Sequence, residues 1–416
     1  MALCEDELFQ IFSWLPAKSL CKFKSACGWT LNFSKETYFC MKNAQNMLLQ
    51  DDTGFFIQQD NGQGFSGRIE SHSFNVAELL TSGVPQDFLS LLAKSAKIIT
   101  SCNGLALCRS TPRESEVDLF LCNVVTKTWL PIATPASVHE SPDADVNVVF
   151  QCMNDSLNVD DYRITLIENS LEWSSHRDLK VYSPKKGVWE AMEKSFFIGS
   201  RNMRLDMPVT LNNTLHFISD SSQYFTKSSP FFRPYIMAYN YESGESTMLR
   251  LPRDARRGSH DDSCNMGIFE WGKAKSSDRS ICLVRHRKRI FTVWILEDYK
   301  STLWRRVLKI RVKAMGLKEE DPRVEGFAVM NGDCLIFATE KKVYGYNLCG
   351  GKHLLRATEI CEHGLRGKVC FTSYSNTLRP CGAGATTFQG YDTTHPKAER
   401  STSRACKTDY FYSEEK

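Results

Sequence analysis

Residues 99–107 of the chain read Ile-Thr-Ser-Cys-Asn-Gly-Leu-Ala-Leu, and they are followed by Leu119-Phe120-Leu121-Cys122-Asn123 and by Trp129. Apolar side chains alternate on both sides of Asn103-Gly104, which is typical of two β-strands joined by a tight turn. Asn-Gly favours the positive φ angles that such turns require. The stretch therefore predicts a β-hairpin that is followed by a short strand, a polar turn and a tryptophan.

The same order of features recurs after about Asp51. The turn dipeptides Asn212-Asn213 and Asn331-Gly332 precede further alternating apolar runs. A short strand and a polar turn then lead to a tryptophan or to a residue in its place; these positions are Trp129, Trp189, Ser246, Trp304 and His353. Repeats of roughly 50–60 residues with several strands are typical of β-propeller blades, which bury their faces against each other around an axis.

The predicted fold is therefore mainly β, with a propeller of six or seven blades. Five repeats are visible, residues Phe55 to Phe74 are expected to supply strands of another blade, and residues near Val369–Tyr374 are expected to close the ring. Trp129, Trp189 and Trp304 are predicted to fill the gaps between neighbouring blades, because they are large and recur. The alternative that the pattern leaves open is a long array of β-sandwiches.

Residues 3–39 have a helical pattern instead. Apolar residues recur with a helical period after an acidic first turn, at Leu8, Ile11, Phe12 and Leu15. Pro16 ends this helix because it lacks a backbone N–H. A second helical stretch carries Leu20, Phe23 and Cys27 on one side. About forty residues bury an independent core poorly, so the large apolar groups are expected to mark either a partner surface or a helical cap on the larger domain.

The run Leu15–Trp29 (Leu-Pro-Ala-Lys-Ser-Leu-Cys-Lys-Phe-Lys-Ser-Ala-Cys-Gly-Trp) resembles the F-box of plant F-box proteins. Their motif is roughly Leu-Pro-x-Lys-Ser-Leu-x-Arg-Phe-Arg-x-Val-Cys-Lys-x-Trp, and residues 6–12 resemble the first F-box helix. The chain departs from the family in having only Gly28 between the cysteine and the tryptophan, and Leu3-Cys4 in place of the opening Leu-Pro. A missing residue rotates all later side chains of a helix by ~100°.

A second resemblance covers the β-rich part of the chain. Residues 99–105, with the strand that ends at Asn123 and with Trp129-Leu130-Pro131, resemble the opening of the F-box-associated, kelch-like region of plant F-box proteins. Val124 stands where that family has a proline. The two resemblances imply a three-helix F-box module at residues 1–45 and a kelch-like β-propeller at residues 50–380. The Gly-, Ser-, Thr- and charge-rich residues 381–416 predict a flexible tail.

The resemblance implies a non-catalytic function, as the substrate-recognition subunit of a Skp–cullin–F-box (SCF) ubiquitin ligase. The F-box module would bind the Skp adaptor, and through it the cullin, while the propeller would hold a protein target for ubiquitination. The residues expected to bind the adaptor through an apolar face are Leu8, Ile11, Leu15, Pro16, Leu20 and Phe23. Trp29 is expected to brace the module's own core. Two alternatives stay open: a propeller scaffold without a ligase role, and an enzyme or a sugar- or small-molecule-binding propeller with a helical cap.

The composition limits the possible partners and compartments. The 416 residues are 42% hydrophobic and 24% charged, which is ordinary for a globular protein. A net charge of +4 is too small to favour nucleic acid or an anionic membrane as a partner. No apolar run reaches the ~18 residues of a membrane helix, and the acidic start does not resemble a signal peptide. We therefore expect a protein of the cytoplasm or nucleus whose 16 cysteines are mostly buried thiols.

The motifs that carry chemistry are weak, and they predict no catalytic residue, metal or cofactor. Residues 62–67 fit G-x-G-x-x-G, but a strand-like alternation comes after them, so a hairpin loop is favoured over a nucleotide site. Residues 285–289 (Arg-His-Arg-Lys-Arg) are interpreted as a charged hairpin tip, with a nuclear import signal or an anion patch as the alternative. Cys361, His363, Cys370 and Cys381 have no zinc-site spacing.

Acidic pairs in the sequence do not indicate a site either. They occur at Asp51-Asp52, Asp160-Asp161 and Asp261-Asp262 and are interpreted as solvated turns. The last pair ends a polar stretch, residues 253–262, which is predicted to be an exposed loop between two blades.

Overall fold

Four short helices precede a ring of six β-sheets in this computed structural model of the chain. The structure describes residues 3–24, 28–59, 68–74, 84–110, 119–135, 147–153, 157–168, 174–221, 227–229, 231–259, 263–273, 276, 278–349 and 356–387. The predicted six- or seven-bladed propeller is thereby confirmed, with six blades.

The N-terminal helices, which we call the helical module, are α1 Glu5–Ser13, α2 Ala17–Phe23, α3 Gly28–Phe33 and α4 Thr37–Leu48. The first turn of α1 is acidic, and Glu7 accepts a hydrogen bond from the backbone N–H of Cys4, so that this end of the helix is capped. Pro16 separates α1 from α2 as expected. The prediction of three helices omitted α4, which buries Phe39 and Met47 on one face.

Blade 1 is the sheet that the opening stretch of sequence predicts. Its strands, from the inner edge outward, are β3 Ala96–Cys102, β4 Leu105–Ser110, β5 Leu119–Asn123 and β6 Thr128–Ile132. The turn between β3 and β4 is Asn103-Gly104, with φ angles of 50° and 82°. The predicted hairpin is therefore confirmed. Helix α5 Gln86–Ser95 precedes this blade and packs its apolar residues between blade 1 and the closing blade.

Blades 2 to 5 repeat this meander of four antiparallel strands. Blade 2 consists of β7 Val148–Cys152, β8 Tyr162–Ile167, β10 Leu179–Ser183 and β11 Val188–Ala191. Blade 3 consists of β13 Val209–Leu211, β14 Thr214–Ile218, β15 Tyr235–Asn240 and β16 Ser246–Arg250. Blade 4 consists of β17 Asn265–Trp271, β18 Ser280–Arg287, β19 Ile290–Asp298 and β20 Leu303–Arg311. Blade 5 consists of β21 Gly326–Met330, β22 Cys334–Ala338, β23 Lys342–Asn347 and β24 Thr358–Glu362.

Shorter elements connect these blades. They are the two-stranded ribbon of β9 His176–Arg177 with β12 Phe196–Phe197, helix α6 Arg253–Arg256 between blades 3 and 4, and a 3-10 turn at Val312–Met315 between blades 4 and 5. The turns Asn212-Asn213 and Asn331-Gly332 have positive φ angles and join the first two strands of blades 3 and 5, as the sequence predicts.

Blade 6 closes the ring with strands from both ends of the chain. Its inner strand is β25 Val369–Tyr374, which pairs with β1 Gly54–Gln59, and β1 pairs with the outer strand β2 Ile69–Ser73. The rings of Phe56 and Tyr374 lie 4.9 Å apart across this seam. The prediction that these two segments complete the ring is confirmed.

Tryptophans of the outer strands lie between neighbouring blades. Trp189 of blade 2 donates its indole N–H to the carbonyl oxygen of Ala133, which directly follows the outer strand of blade 1. Trp304 of blade 4 donates in the same way to the carbonyl of Arg250 in blade 3, at 2.9 Å. Trp129 packs against the cluster that α5 forms with blades 1 and 6. Trp189 and Trp304 thus cover apolar side chains with their rings while their N–H groups bond to carbonyls of the neighbouring blade.

The chain continues past β25 as a buried segment. Cys381 is buried, and β26 Thr386–Thr387 pairs with β6 at the outer edge of blade 1. The predicted boundary between propeller and tail, at residue 381, therefore falls inside a packed segment. The remainder of the predicted tail, residues 388–416, lies outside the described residues.

The two ends of the ring differ. One end, which we call the module face, carries the first turn of several blades. There the N–H of Gly272 donates to the carbonyl of Gly332, and the side chain of Asn331 accepts from the N–H of Asp52. The hydroxyl of Thr377 donates a hydrogen bond to the carbonyl of Asn103, and the next residue, Leu378, contacts helix α4. The opposite end, which we call the open face, carries α6 and the turn between β18 and β19.

Candidate functional site

Exposed large apolar side chains are concentrated on the helical module. Among the described residues eleven such side chains are exposed, and eight of them lie between residues 3 and 49: Leu3, Ile11, Trp14, Phe23, Trp29, Leu31, Tyr38 and Leu49. The described part of the much longer propeller contributes only Val188, Tyr299 and Leu303. An apolar patch of this kind typically marks a surface for another protein.

The six residues predicted to bind an adaptor are not equally accessible. Ile11 and Phe23 are exposed, by 48% and 44%. Leu8, Leu15 and Pro16 are half-buried. Leu20 is completely buried, because α2 turns this side chain toward Phe39 and Leu378. Five of the predicted residues thus present some surface to solvent, while Leu20 supports them from inside.

Aromatic rings connect this surface to the core of the module. The ring of Phe12 lies 6.0 Å from that of Phe23 and 6.4 Å from that of Phe33, and the ring of Trp29 lies 6.3 Å from that of Phe33. Contrary to expectation, Trp29 does not brace the core, since 44% of it is exposed. Thr30 and Phe33 occupy the inward positions of α3, and Trp29 precedes Thr30 by one residue, or ~100° of helix rotation.

Buried amides fix the helices to each other and to the C-terminal segment. The side-chain amide of Asn43 donates to the carbonyls of Ser13 and Leu15, at 3.1 and 2.8 Å, and its oxygen accepts from the N–H of Leu378 at 3.1 Å. Asn46 donates to the hydroxyl of Ser13 at 2.8 Å. Because unpaired buried amides are unfavourable, these bonds specify one arrangement of α1, α4 and the segment after β25.

The same segment is fixed to blade 1 from its other side. The N–H of Ala17 donates to the carbonyl of Asn376. The side-chain amide of Asn123, the last residue of β5, donates to the carbonyls of Thr377 and Arg379 at 3.0 and 2.9 Å. The segment therefore lies between the module and the propeller and holds both. Sequence reasoning missed this contact, because an isolated apolar residue such as Leu378 does not indicate which element it meets.

One residue of the acidic pair Asp51-Asp52 is less exposed than predicted. Asp52 is half-buried on the module face, and its carboxylate accepts a hydrogen bond from the hydroxyl of Ser375. Burial raises the pKa of Asp52, although this hydrogen bond and one from Ser373 act in the opposite direction. Asp51 is more exposed and pairs with Lys273 at 3.0 Å. The prediction of a solvated turn is thus wrong for Asp52. Residues 261 and 262 lie outside the described residues.

A cavity of ≈ 660 Å³ opens beside blade 6, between β2, α5 and the loop after β24. Two of its basic side chains pair with one carboxylate, since Glu70 lies 2.9 Å from Arg68 and 3.3 Å from His72. Burial acts to raise the pKa of Glu70, but hydrogen bonds from His72 and Gly364 and the charge of Arg68 lower it below its usual value. The paired carboxylate is held in its charged form and is suited to fixing the loop.

The structure shows where several residues of the weak sequence motifs lie. The turn between β18 and β19 is Lys288-Arg289, with φ angles of 48° and 59°, so the predicted hairpin tip is confirmed for these two residues. Arg285 and His286 lie inside β18 instead. No group of His, Cys, Asp and Glu in the described part of the chain is arranged to hold a metal ion, and His363 bonds to the carbonyl of Thr339. The G-x-G-x-x-G run, Cys27 and His353 lie outside the described residues.

One further structural finding concerns membranes. Within the described ranges, no helix combines the length and the apolar character that crossing a bilayer requires.

Comparison with known proteins gives one sequence family. The family model described as F-box protein At3g26010-like, beta-propeller, matches residues 72–322, which is more than half of the chain. The match covers blades 1 to 4 and none of helices α1 to α4. No curated protein matches the chain.

Solved structures give only distant similarity. AtxE2 isopeptidase is 10% identical over 64% of this chain and 40% of its own, with a TM-score of 0.28. The β-propeller domain of the Trilobed protease from Pyrococcus furiosus is 11% identical over 65% of this chain and 86% of its own, with a TM-score of 0.31. Oligopeptidase B from Leishmania major is 7% identical over 75% and 46%, with a TM-score of 0.34. The chain thus spans less than half of the isopeptidase and the oligopeptidase, and similarity this low supports no conclusion about its function.

Proposed function

Because this chain belongs to the family of At3g26010-like F-box proteins with a β-propeller, we propose that it is the substrate-recognition subunit of an SCF ubiquitin ligase. The observation that carries the proposal is the concentration of exposed apolar side chains on the helical module, whose run Leu15–Trp29 resembles the F-box. The module would bind the Skp adaptor, and through it the cullin, in the cytoplasm or nucleus. The propeller would bind a protein target.

The adaptor contact is assigned to the accessible side of α1 and α2. Ile11 and Phe23 would enter the adaptor directly, while Leu8, Leu15 and Pro16 would contribute their exposed parts. Burial of these apolar side chains against the adaptor would supply most of the free energy of binding. Leu20 would act from within, by holding α2 against the rest of the module.

The protein performs no chemistry of its own in this proposal. Its contribution is proximity, because a target held near the charged ubiquitin reacts at a high effective concentration. Proximity is useful only if the two binding parts keep a fixed relation. The hydrogen bonds of Asn43 and Asn123 to the segment between module and propeller support such a fixed relation.

The proposal is tested by binding of purified full-length protein to purified Skp adaptor. The double variant Ile11→Asp/Phe23→Asp places two charges on the assigned surface and is expected to abolish binding. Val188→Asp/Leu303→Asp is the matched control, since it adds the same charges at exposed apolar positions of the propeller. Equal binding by both variants would contradict the assigned surface.

A second variant probes the F-box run itself. Leu15→Ala/Pro16→Ala is expected to lose the adaptor contact while the propeller stays folded, as judged by its unfolding temperature. If the folded wild-type protein does not bind the adaptor at all, the ligase function is excluded, and the propeller-scaffold and small-molecule-binding alternatives take its place.

A further inference from the structure

Four arginines meet on the open face, between blades 3 and 4, where the charges of Arg233, Arg250 and Arg253 act on Arg256. We call these four, together with Arg257 of the same loop, the arginine cluster. They come from three different places, since Arg233 precedes β15, Arg250 ends β16, and the others belong to α6 and the residue after it. All are exposed except Arg256, which is half-buried. The sequence indicated only an exposed polar loop at this position.

The backbone beneath the cluster is fixed by a buried arginine. Arg285 in β18 donates to the carbonyl of Asp254 at 2.6 Å and to the carbonyl of Arg257 at 2.8 Å. Only 9% of Arg285 is exposed. The guanidinium of Arg287 lies against Gly258 in the same loop. The loop that carries Arg253, Arg256 and Arg257 therefore has a defined shape before any partner arrives, which reduces the entropy lost on binding.

The arginines of the cluster repel each other. Burial, and next the charges of Arg233, Arg250 and Arg253, lower the pKa of Arg256. The Nε atom of Arg256 is buried and has no hydrogen-bond partner among the described residues. Asp254, which lies within the same loop, pairs with Arg306 at 3.5 Å. Residues 260–262 follow the loop and lie outside the described residues. Like charges held together raise the free energy of the fold, and a bound anion would lower it.

The cluster points away from the helical module. Helix α6 leads into the start of β17, and the far end of β17 is followed by Gly272, which bonds to Gly332 on the module face. A partner on the arginine cluster and an adaptor on the module would therefore occupy opposite ends of the ring, and both can bind at once.

We propose that the arginine cluster binds an acidic segment of the protein target. This inference rests on the proposed function and adds the chemical class of the target. Guanidinium groups form paired hydrogen bonds with carboxylates and with phosphates, and several such groups on one fixed surface select closely spaced anions. Acidic side chains and phosphorylated side chains both supply this chemistry, and the peptides used in the test distinguish them.

The test measures peptide binding to the full-length protein by fluorescence anisotropy. Three labelled peptides share one backbone of alternating Ser and a variable residue, which is Glu, phosphoserine or Gln. The Glu or the phosphoserine peptide is expected to bind, more weakly as salt is added, while the Gln peptide does not. Whichever of the two binds more tightly identifies the source of the anion. Failure of both anionic peptides to bind would overturn the proposal.

Variants locate the site. Arg250→Gln/Arg253→Gln/Arg256→Gln is expected to weaken binding by roughly tenfold to a hundredfold, because three ion pairs with the peptide are lost. Lys185→Gln/Lys300→Gln/Arg366→Gln removes the same charge from exposed positions elsewhere and is expected to change binding less than about twofold. If both variants lose the same affinity for the peptide, the effect is due to net charge alone, and the proposal is overturned. Arg253→Gln alone replaces the triple variant if that variant does not fold.

The same samples separate this inference from the proposed function. The arginine variant is expected to bind the Skp adaptor like the wild-type protein, because the two surfaces lie on opposite faces. Peptide binding without adaptor binding would remove the ligase function and leave an acidic-peptide surface. Adaptor binding without peptide binding would leave the ligase function and remove the arginine cluster as its target site.

Discussion

The helical module and the propeller distribute apolar side chains in opposite ways. The propeller buries its large apolar residues between blades, and even its outer tryptophans use their indole N–H groups on a neighbouring blade. The module fills its own small core with rings such as Phe33 and Phe39 and still exposes eight large apolar side chains. The propeller thus covers its apolar surface by closing a ring, whereas the module leaves a surface that is suited to being covered by another protein.

The two regions also join through different forces. Inside the propeller, neighbouring blades meet through apolar contacts. The module meets the propeller through buried amides and through the segment after β25, which carries Leu378. Directional hydrogen bonds fix an orientation more sharply than apolar contacts do, because unpaired buried groups are unfavourable. The junction is therefore suited to holding an adaptor and a target in a constant relation.

The largest effect is expected at the seam that closes the ring. Phe56→Ala removes a completely buried ring that contacts Tyr374 across blade 6. Such truncations typically lower the free energy of unfolding by about 3–5 kcal/mol. Urea denaturation of the full chain measures this, with exposed Leu303→Ala as the control, which should change stability by less than about 0.5 kcal/mol. A loss below about 1 kcal/mol would contradict the seam's role.

An equivalent truncation in the module should have a local effect. Phe39→Ala removes a buried ring that stacks on Phe33 at 5.4 Å. We expect a loss of about 3 kcal/mol that is confined to α1–α4, because the ring of blades does not depend on this core. Hydrogen exchange measured by mass spectrometry should show faster exchange in residues 5–48 and unchanged exchange in blades 2 to 5. Faster exchange throughout would show that the two regions unfold together.

The junction should respond more weakly. Asn43→Leu keeps the side-chain size but leaves the carbonyls of Ser13 and Leu15 and the N–H of Leu378 without this partner. The expected loss is about 1–3 kcal/mol, seen as faster hydrogen exchange in α1, α4 and residues 375–381. Gln45→Leu, on the same helix and bonded to Lys42, serves as the control. If the two variants behave alike, the amide contacts do not fix the module.

The smallest effect at neutral pH is expected from two buried histidines, which lower the stability of the protein only as the pH falls. Burial lowers the pKa of His216 and of His286 to about 4 in the folded protein, while histidine in the unfolded chain titrates near ~6.5. The unfolded state then binds these protons more readily, so stability is full above about pH 6.5 and falls as the pH drops toward 4. The loss should begin in blades 3 and 4, because His216 lies in β14 and His286 lies in β18. The helical module has no histidine and should not contribute.

The variant His286→Phe sharpens this point. The imidazole Nε2 of His286 is buried and has no hydrogen-bond partner in the described part of the chain, and its ring lies 4.7 Å from that of Phe291. At pH 7 the variant should change the free energy of unfolding by less than about 1 kcal/mol. At pH 5 it should exceed the wild-type protein by about 1–2 kcal/mol. Urea denaturation at both pH values measures this; a gap that does not widen on acidification would contradict the lowered pKa.

Much of the propeller was predictable because its signals are local. A positive φ angle at Asn103 or Asn331 depends on neighbours in the chain, and alternation along a strand depends only on its two faces. The helical module was less predictable, because a helical period tells which residues share a face but not what that face meets. The pattern placed Leu20 with Phe23, yet the structure buries the first against Leu378 and exposes the second.

Local sequence patterns were enough to predict the hairpins and the two segments that close the ring. They also predicted a propeller of six or seven blades and a helical start that resembles an F-box. Three-dimensional packing was needed to learn which apolar side chains stay exposed and which arginines meet. Arg233 and Arg253 belong to different connections, and Leu378 reaches the module from the opposite end of the chain. Burial and charge density are sums over neighbours in space, and most of those neighbours are distant in sequence.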